Sequence, residues 1–344
     1  MSLEKNLVLI AERMGLHKWQ VENTIRLLDD GATIPFISRY RKEMTGSLDE
    51  VKLLQIKDEY TRLKELDARR ESVIKSIEEQ GKMTQELRAR IDSAATMAEL
   101  EDIYLPFRPK RRTRATIAKE RGLEPLAAII MEQKEADPYG LAAGFINDDV
   151  PAAADAIAGA SDIIAEWISE DEKARRQLRL LFEREAVIYS KVIKGKETEG
   201  IKFSDYFDWS EPLRKCPSHR LLAMRRGEEE GFLRLSIEPD EKNALGILWK
   251  LFVKDKNESS RIVSEAAKDS WKRLLSSSME TEFRNISKEK ADDEAIVVFA
   301  DNLRQLLLAP PLGEKNVLAI DPGYRTGCKI VCLDRQGNLV HNET

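Results

Sequence analysis

The sequence predicts a mainly α fold: an elongated multi-helix array with long helices and a short β-hairpin, ending in the first strands of a truncated α/β domain. Three observations carry this. Charged residues make up 34% of the 344 and aromatics only 6%, with long runs of Leu, Ile, Ala, Glu, Lys and Arg, the usage of a soluble helical protein. Apolar residues recur at spacings of three, four and seven over long stretches, the period of one helix face. Two apolar segments near the end alternate with tight-turn residues, as paired strands do.

From the start, Leu7, Val8 and Ile10, then Val21, Ile25, Leu27 and Leu28, mark two amphipathic helices, the second stopped by Asp29-Asp30-Gly31. The pair reads as a helix-turn-helix or as a plain helical hairpin, and the weak signature of a recognition helix favours the hairpin. Next comes Thr33 to Glu43, with Pro35 placed for a first helical turn. Its apolar residues are expected to form a buried aromatic-proline anchor while Arg39, Arg41 and Lys42 project. A base stacked on Tyr40 is the alternative, and it needs an exposed ring.

Ser47-Leu48-Asp49-Glu50 reads as a capping box that launches a long helix through Ile56, Tyr60, Leu63, Leu66, Val73 and Ile77, stopped by Gln80-Gly81. At ~1.5 Å per residue it is close to ~45 Å long. Thr96-Met97-Ala98-Glu99 caps a short helix that Leu105-Pro106 ends, a basic loop follows, and Glu124 to Ile130 resumes helix. Pro151 suits the first turn of a helix through Ile164 and Trp167. Ser169-Glu170-Asp171-Glu172 caps another, expected to run through Leu178, Leu181, Phe182, Ile188 and Val192. Gly200, Asp205, Asp208, Pro212 and Pro217 break the period between Gly195 and Pro217, marking a boundary. Beyond it Leu221, Leu222 and Met224 read as helix, Gly231 to Ile237 alternates as a strand, Glu241 to Phe252 is helix, and two more helices run from Ser259 to Leu308 until Pro310-Pro311.

The last segment is the most informative. Val317-Leu318-Ala319-Ile320 delivers Asp321 at a strand tip, Pro322-Gly323 turns, Gly327 reopens a second strand, and Gln336-Gly337-Asn338 offers another turn. RNase H-like nuclease folds begin this way. There the first-strand Asp holds a divalent metal together with two or three carboxylates from later strands, and here the chain stops at Thr344, so it is expected to be a fragment.

Charge and motif content narrow the function. The net charge is -5, yet Arg108, Lys110, Arg111, Arg112, Arg114, Lys119 and Arg121 cluster against the single acid Glu120. Two readings of that run stand side by side. Either it contacts phosphates or an acidic partner, or Arg108, Arg112 and Arg121 pair with acids such as Glu99, Glu101 and Asp102. His17, His219 and His341 are isolated, and Cys216, Cys328 and Cys332 have neither zinc nor disulfide spacing and are expected as buried thiols. With no Walker loop and no Gly-x-Gly-x-x-Gly, no metal, cofactor or small-molecule substrate is expected. No window approaches ~20 apolar residues and no leader pattern opens the chain, so a cytoplasmic protein without a membrane partner is expected.

The chain resembles the bacterial Tex family of transcription accessory proteins at Ile34 to Glu50, at Glu101 to Arg114 and at Leu318 to Gly327, and the resemblance covers the whole chain. It implies a helical N-terminal half followed by a YqgF-type RNase H-like domain, helix-hairpin-helix modules and an RNA-binding OB-fold, and it suggests that the YqgF catalytic set is incomplete. The expected organisation is residues 1–195 as a helical region holding the basic loop 108–121, 196–313 as a second helical region with a short strand, and 314–344 as the truncated start of the YqgF domain. The function expected is that of a non-catalytic scaffold that helps bind nucleic acid, RNA before DNA, and RNA polymerase or its complex. The residues expected to bind are Arg108, Lys110, Arg111, Arg112, Arg114, Lys119, Arg121, Arg39, Arg41 and Lys42, several weak surfaces acting through avidity. The competing readings are a metal-dependent nuclease using Asp321 in the complete protein, and a pure protein-docking scaffold.

Overall fold

In a computed structural model of the chain, which describes residues 3–135, 137–323 and 327–344, helices dominate as the sequence predicts. In chain order they are α1 (Leu3–Met14), α2 (Lys18–Asp29), α3 (Ile34–Tyr40), α4 (Lys42–Thr45), α5 (Glu50–Glu79), α6 (Gln85–Ser93), α7 (Met97–Tyr104), α8 (Arg114–Glu120), α9 (Glu124–Glu132), α10 (Pro138–Ala142), α11 (Ala153–Glu170) and α12 (Glu172–Glu185). Strands β1 (Val187–Val192) and β2 (Asp208–Pro212), helix α13 (Ser218–Glu229) and strand β3 (Leu233–Glu238) follow. Helices α14 (Glu241–Phe252), α15 (Glu258–Ser270) and α16 (Ser276–Leu307) precede β4 (Val317–Gly323), β5 (Gly327–Leu333) and β6 (Leu339–Glu343). The chain divides into one unit of Met1–Ile188, Pro212–Arg214 and Ser236–Phe283, and another of Tyr189–Glu211, Lys215–Leu235 and Arg284–Thr344.

In the first unit α5 is a spine. Leu53, Ile56 and Leu63 on its N-terminal half join Ile10, Val21, Ile25 and Ile37 in one core; Leu66, Val73 and Ile77 join Leu87, Ile91, Leu100 and Ile103 in the next. The helix stops where the pattern places it but starts two residues later, because its cap is Asp49, whose carboxylate accepts from the Lys52 amide at 2.7 Å. Ser47 sits before it in the left-handed region (φ 61°) and does not cap. Thr96 does cap α7, accepting from the Glu99 amide at 3.2 Å. Asp171, and not Ser169, caps α12, while Pro151 lies ahead of α11, whose N-cap is Ala152. Central to the rest of this unit is α11, on which α8, α9 and α15 pack. A Cβ at Gly159 of α11 would run into the Leu123 side chain, so the close approach requires glycine.

Two departures from the predicted elements have physical causes. The helix expected through Ile188 and Val192 stops at Glu185, and Val187–Val192 is a strand. A spacing of four puts Ile188 and Val192 on one side in either period, and the β-branched content decides for strand. The basic segment is a loop only to Thr113, which caps α8 by accepting from the Thr116 amide at 3.0 Å.

The second unit holds the sheet ordered β2-β1-β3 and a separate sheet ordered β4-β5-β6. Of the first sheet only β2 lies within the stretch that interrupts the helical period, and it has no counterpart among the predicted elements. In the second, β4 and β5 are antiparallel with Asp321 opposite Lys329 and Gly323 opposite Gly327. Pro322 and Gly323, expected to turn, are still paired strand, opposite Cys328 and Gly327, and the link between the two strands falls on residues 324–326, outside the described residues. The turn at Gln336-Gly337-Asn338 is present: the Asp334 carboxylate accepts from the Gln336 and Asn338 amides at 2.9 and 2.8 Å, and Gly337 takes φ 82°. It leads into a third strand, β6, beyond the predicted hairpin. No described helix is long and apolar enough to cross a membrane.

Candidate nucleic-acid interface

The basic run is held in place by its least conspicuous members. Lys110 places its ammonium 3.3 Å from Glu166 and pairs with Glu170, both on α11. The Thr113 hydroxyl donates to the other Glu166 oxygen at 3.1 Å. Burial pushes the Glu170 carboxyl above its ordinary range, with Lys110 pulling the opposite way and losing. Lys110 thus ties the segment to α11. Lys119 lies 3.5 Å from Glu124 and 6.0 Å from the Trp167 ring centroid, a second tether.

The arginines project. Arg108, Arg111, Arg112, Arg114 and Arg121 are all exposed. Arg112 meets Glu120 at 2.9 Å in an open pair; the other four have no ion-pair partner among the described residues. The pairing of Arg108, Arg112 and Arg121 with Glu99, Glu101 and Asp102 does not form, because each acid is already committed. Glu99 accepts from the Ala95 amide, Glu101 from Arg69, and Asp102 from Arg175 and Arg179. Arg114 and Arg121 line a cleft of about 490 Å³ with Asp149, Asp155 and Asp162, so their field is partly offset; Arg108 and Arg111 are not in that cleft.

On α3 the aromatic anchor is not buried. Ile37 and Ser38 face inward, whereas the Phe36 and Tyr40 rings are exposed. Arg39 approaches Glu50 at 3.7 Å, Arg41 lies over Phe36, and Lys42 is exposed. The opposite side of α3 already meets α2 and α5, so residues one turn apart on the outer face have nothing to pack against.

Asp321 is exposed near the end of β4, which has no neighbour on one side. Among the described residues no three His, Cys, Asp or Glu gather as a metal site would require. The thiols differ from expectation: Cys328 is exposed, and Cys216 and Cys332 are half-buried. Burial, then the neighbouring Glu211 carboxylate, pushes the Cys216 thiol up to about 12. Sequence reasoning missed an ion network elsewhere in the first unit, where the buried Asp102 of α7 takes Arg175 at 2.7 Å and Arg179 at 2.8 Å from α12, and Arg179 reaches Glu282 of α16 at 2.5 Å. The Arg175-x-x-x-Arg179 spacing puts two cations on one helix face and was the available signal.

Three family models match the chain: "Tex-like protein N-terminal domain" at residues 4–78, "Tex central region-like" at 133–299 and "Tex protein YqgF-like domain" at 315–344. The transcriptional accessory protein Tex of Neisseria gonorrhoeae is 42% identical over 343 residues, 96% of this chain and 45% of its own length. Protein tex of Bordetella pertussis is 42% identical over 351 residues, 97% of this chain and 44% of its own. The human S1 RNA-binding domain-containing protein 1 is 29% identical over 354 residues, 97% of this chain and 35% of its own. The chain thus spans less than half the length of these curated relatives.

Proposed function

The chain belongs to the Tex family, and on that premise we propose that it acts as a non-catalytic, nucleic-acid-binding transcription accessory protein. The observation that carries this reading is the row of exposed arginines at 108, 111, 114 and 121, without ion-pair partners among the described residues, on a segment pinned from below by Lys110 and Thr113. Exposed guanidinium groups on a fixed backbone neutralise phosphates and release counterions, which favours binding to any nucleic acid without reading its sequence. RNA is the first candidate, since two relatives carry an S1 RNA-binding domain in their names, and DNA the second; the transcription machinery is the protein partner. A cytoplasmic setting goes with that role. No catalytic step is assigned to Asp321, and the relative from Neisseria gonorrhoeae is named a transcriptional accessory protein.

The test is salt-dependent fluorescence anisotropy with single-stranded RNA and duplex DNA, comparing the wild-type chain with Arg108→Glu/Arg111→Glu. The variant is expected to bind at least about tenfold more weakly at low salt, with a log-log salt slope lower by ~0.7 for each single-strand phosphate it no longer neutralises. Unchanged affinity and slope would leave this segment a surface without a nucleic-acid role.

A further inference from the structure

Helix α3 carries a surface that phosphate binding does not account for. Phe36 and Tyr40 stand one helical turn apart with ring centroids 5.4 Å apart and planes at 43°. Tyr40 is 63% exposed and Phe36 39%. The Arg41 guanidinium lies 5.1 Å from the Phe36 centroid and donates to the Tyr40 carbonyl at 2.9 Å, closing one side of Phe36 and leaving the Tyr40 ring open. Arg39 has its side chain 68% exposed and only a loose pair with Glu50; Lys42 is exposed beside it, with no ion-pair partner among the described residues.

The support beneath these rings is rigid. Thr33 caps α3, accepting from the Phe36 amide at 3.4 Å, and the Ser38 hydroxyl donates to Glu50 of α5 at 3.1 Å. Gln20 and Asn23 of α2 donate side-chain amides to the carbonyls of Thr45 and Met44 at 3.1 and 2.8 Å. Gly46 closes the turn at φ 66°, where a Cβ would come within 2.6 Å of Gln20 and 2.9 Å of Trp19. An open aromatic ring on a clamped helix, with three cations within two residues of it along the chain, fits a flat, electron-rich partner flanked by negative charge.

We propose that α3 is a stacking platform for the unpaired bases of a single-stranded nucleic acid, with Tyr40 receiving a base face and Arg39 and Lys42 the adjacent phosphates. The platform rests on the nucleic-acid reading above and adds selectivity to it. A duplex offers phosphates but hides its base faces in the stack, so only a single strand gains from Tyr40. Arg41 holds Phe36 in place and is a positioning residue.

The test uses the whole chain with a labelled single strand of about 12 nucleotides, within the span of known stacking surfaces, and a duplex of the same length. A second strand carries 2-aminopurine, whose emission reports stacking. Phe36→Ala/Tyr40→Ala is expected to weaken single-strand binding about tenfold or more, to leave duplex binding within about twofold, and to abolish 2-aminopurine quenching. Tyr40→Phe, which keeps the ring, is expected to retain all three properties, and an unchanged melting temperature verifies the fold of both variants. Unchanged single-strand affinity, or an equal loss on single strand and duplex, sinks the platform; the reading of the arginine segment then still stands if Arg108→Glu/Arg111→Glu weakens both ligands. A wild-type chain that binds neither ligand at low salt overturns the nucleic-acid reading and the platform together.

Discussion

Lys110 draws two α11 carboxylates to one ammonium, and one of them, Glu170, is perturbed by its burial. Its folded pKa lies above the ordinary value because burial penalises the ionised form more than Lys110 favours it. The sign follows from proton binding. Around the raised pKa the native state holds more protons than the unfolded chain, so this group's contribution is fully present below the unfolded pKa and is lost as pH rises through the folded one. Glu170→Gln is therefore expected to raise the melting temperature by ~2 °C near neutral pH. Thermal melts across pH should show the gap closing as pH falls to the ordinary glutamate range, about 4.3; a pH-independent gap would remove burial as its cause. Arg70 illustrates the same scale from the other side. It is 2% exposed and donates to the carbonyls of Ile91 and Ala94, at 3.1 and 2.9 Å, at the end of α6. A charged residue on the seam of α5 breaks the apolar pattern, and it is tolerated through these carbonyls together with the Asp67 carboxylate one turn back.

Between elements, two polar junctions do what apolar packing alone leaves undefined. Asp102 ties α7 to α12 through Arg175 and Arg179, which in turn reach Ser278 and Glu282 of α16. Removing the shared acid with Asp102→Ala leaves two buried guanidiniums short of their counter-charge and is expected to cost ~3–5 kcal/mol in urea unfolding. Adding Arg175→Met and Arg179→Met should recover part of that loss, and no recovery would mean that the cost is cavity formation. The second junction is Gln133, at the end of α9 with φ 62°. Its side chain donates to the Phe252 carbonyl at 2.6 Å and accepts from the Lys254 amide and Ser260 hydroxyl at 2.7 and 2.9 Å, joining α9 to the α14–α15 connection. Gln133→Ala is expected to cost ~2–4 kcal/mol from the unsatisfied groups it leaves. Gln133→Gly, which also relieves the left-handed backbone, should be milder by ~1 kcal/mol. Equal losses would show that the backbone conformation is unstrained there. Beyond the Arg175-x-x-x-Arg179 spacing, nothing along the chain marks the partners at either junction, whereas α5 and α14 were legible because stops and the apolar period are local.

For the whole molecule, a net charge of -5 sets weak general repulsion against nucleic acid, so the proposed binding rests on local clusters. Two such surfaces, on α3 and on residues 108–121, make strand length a diagnostic. A strand long enough to touch both gains effective concentration, so a strand of ~30 nucleotides should exceed one of ~8 by more than the count of sites predicts, by at least about tenfold. In Arg108→Glu/Arg111→Glu the excess should vanish; if it persists, the two surfaces act independently. From the sequence alone came the mainly α class, helices α5 and α14, the β4–β5 hairpin, the family and the clustering of cations, all properties of neighbours along the chain. The fold decided which cations are free, because that depends on where acids from distant segments lie: Glu166 and Glu170 take Lys110, while Asp102 is held by α12 and leaves Arg108 and Arg121 unpaired among the described residues. It also decided that Tyr40 faces outward, because helical spacing says which residues share a face, and only the packing of other helices says which face is covered.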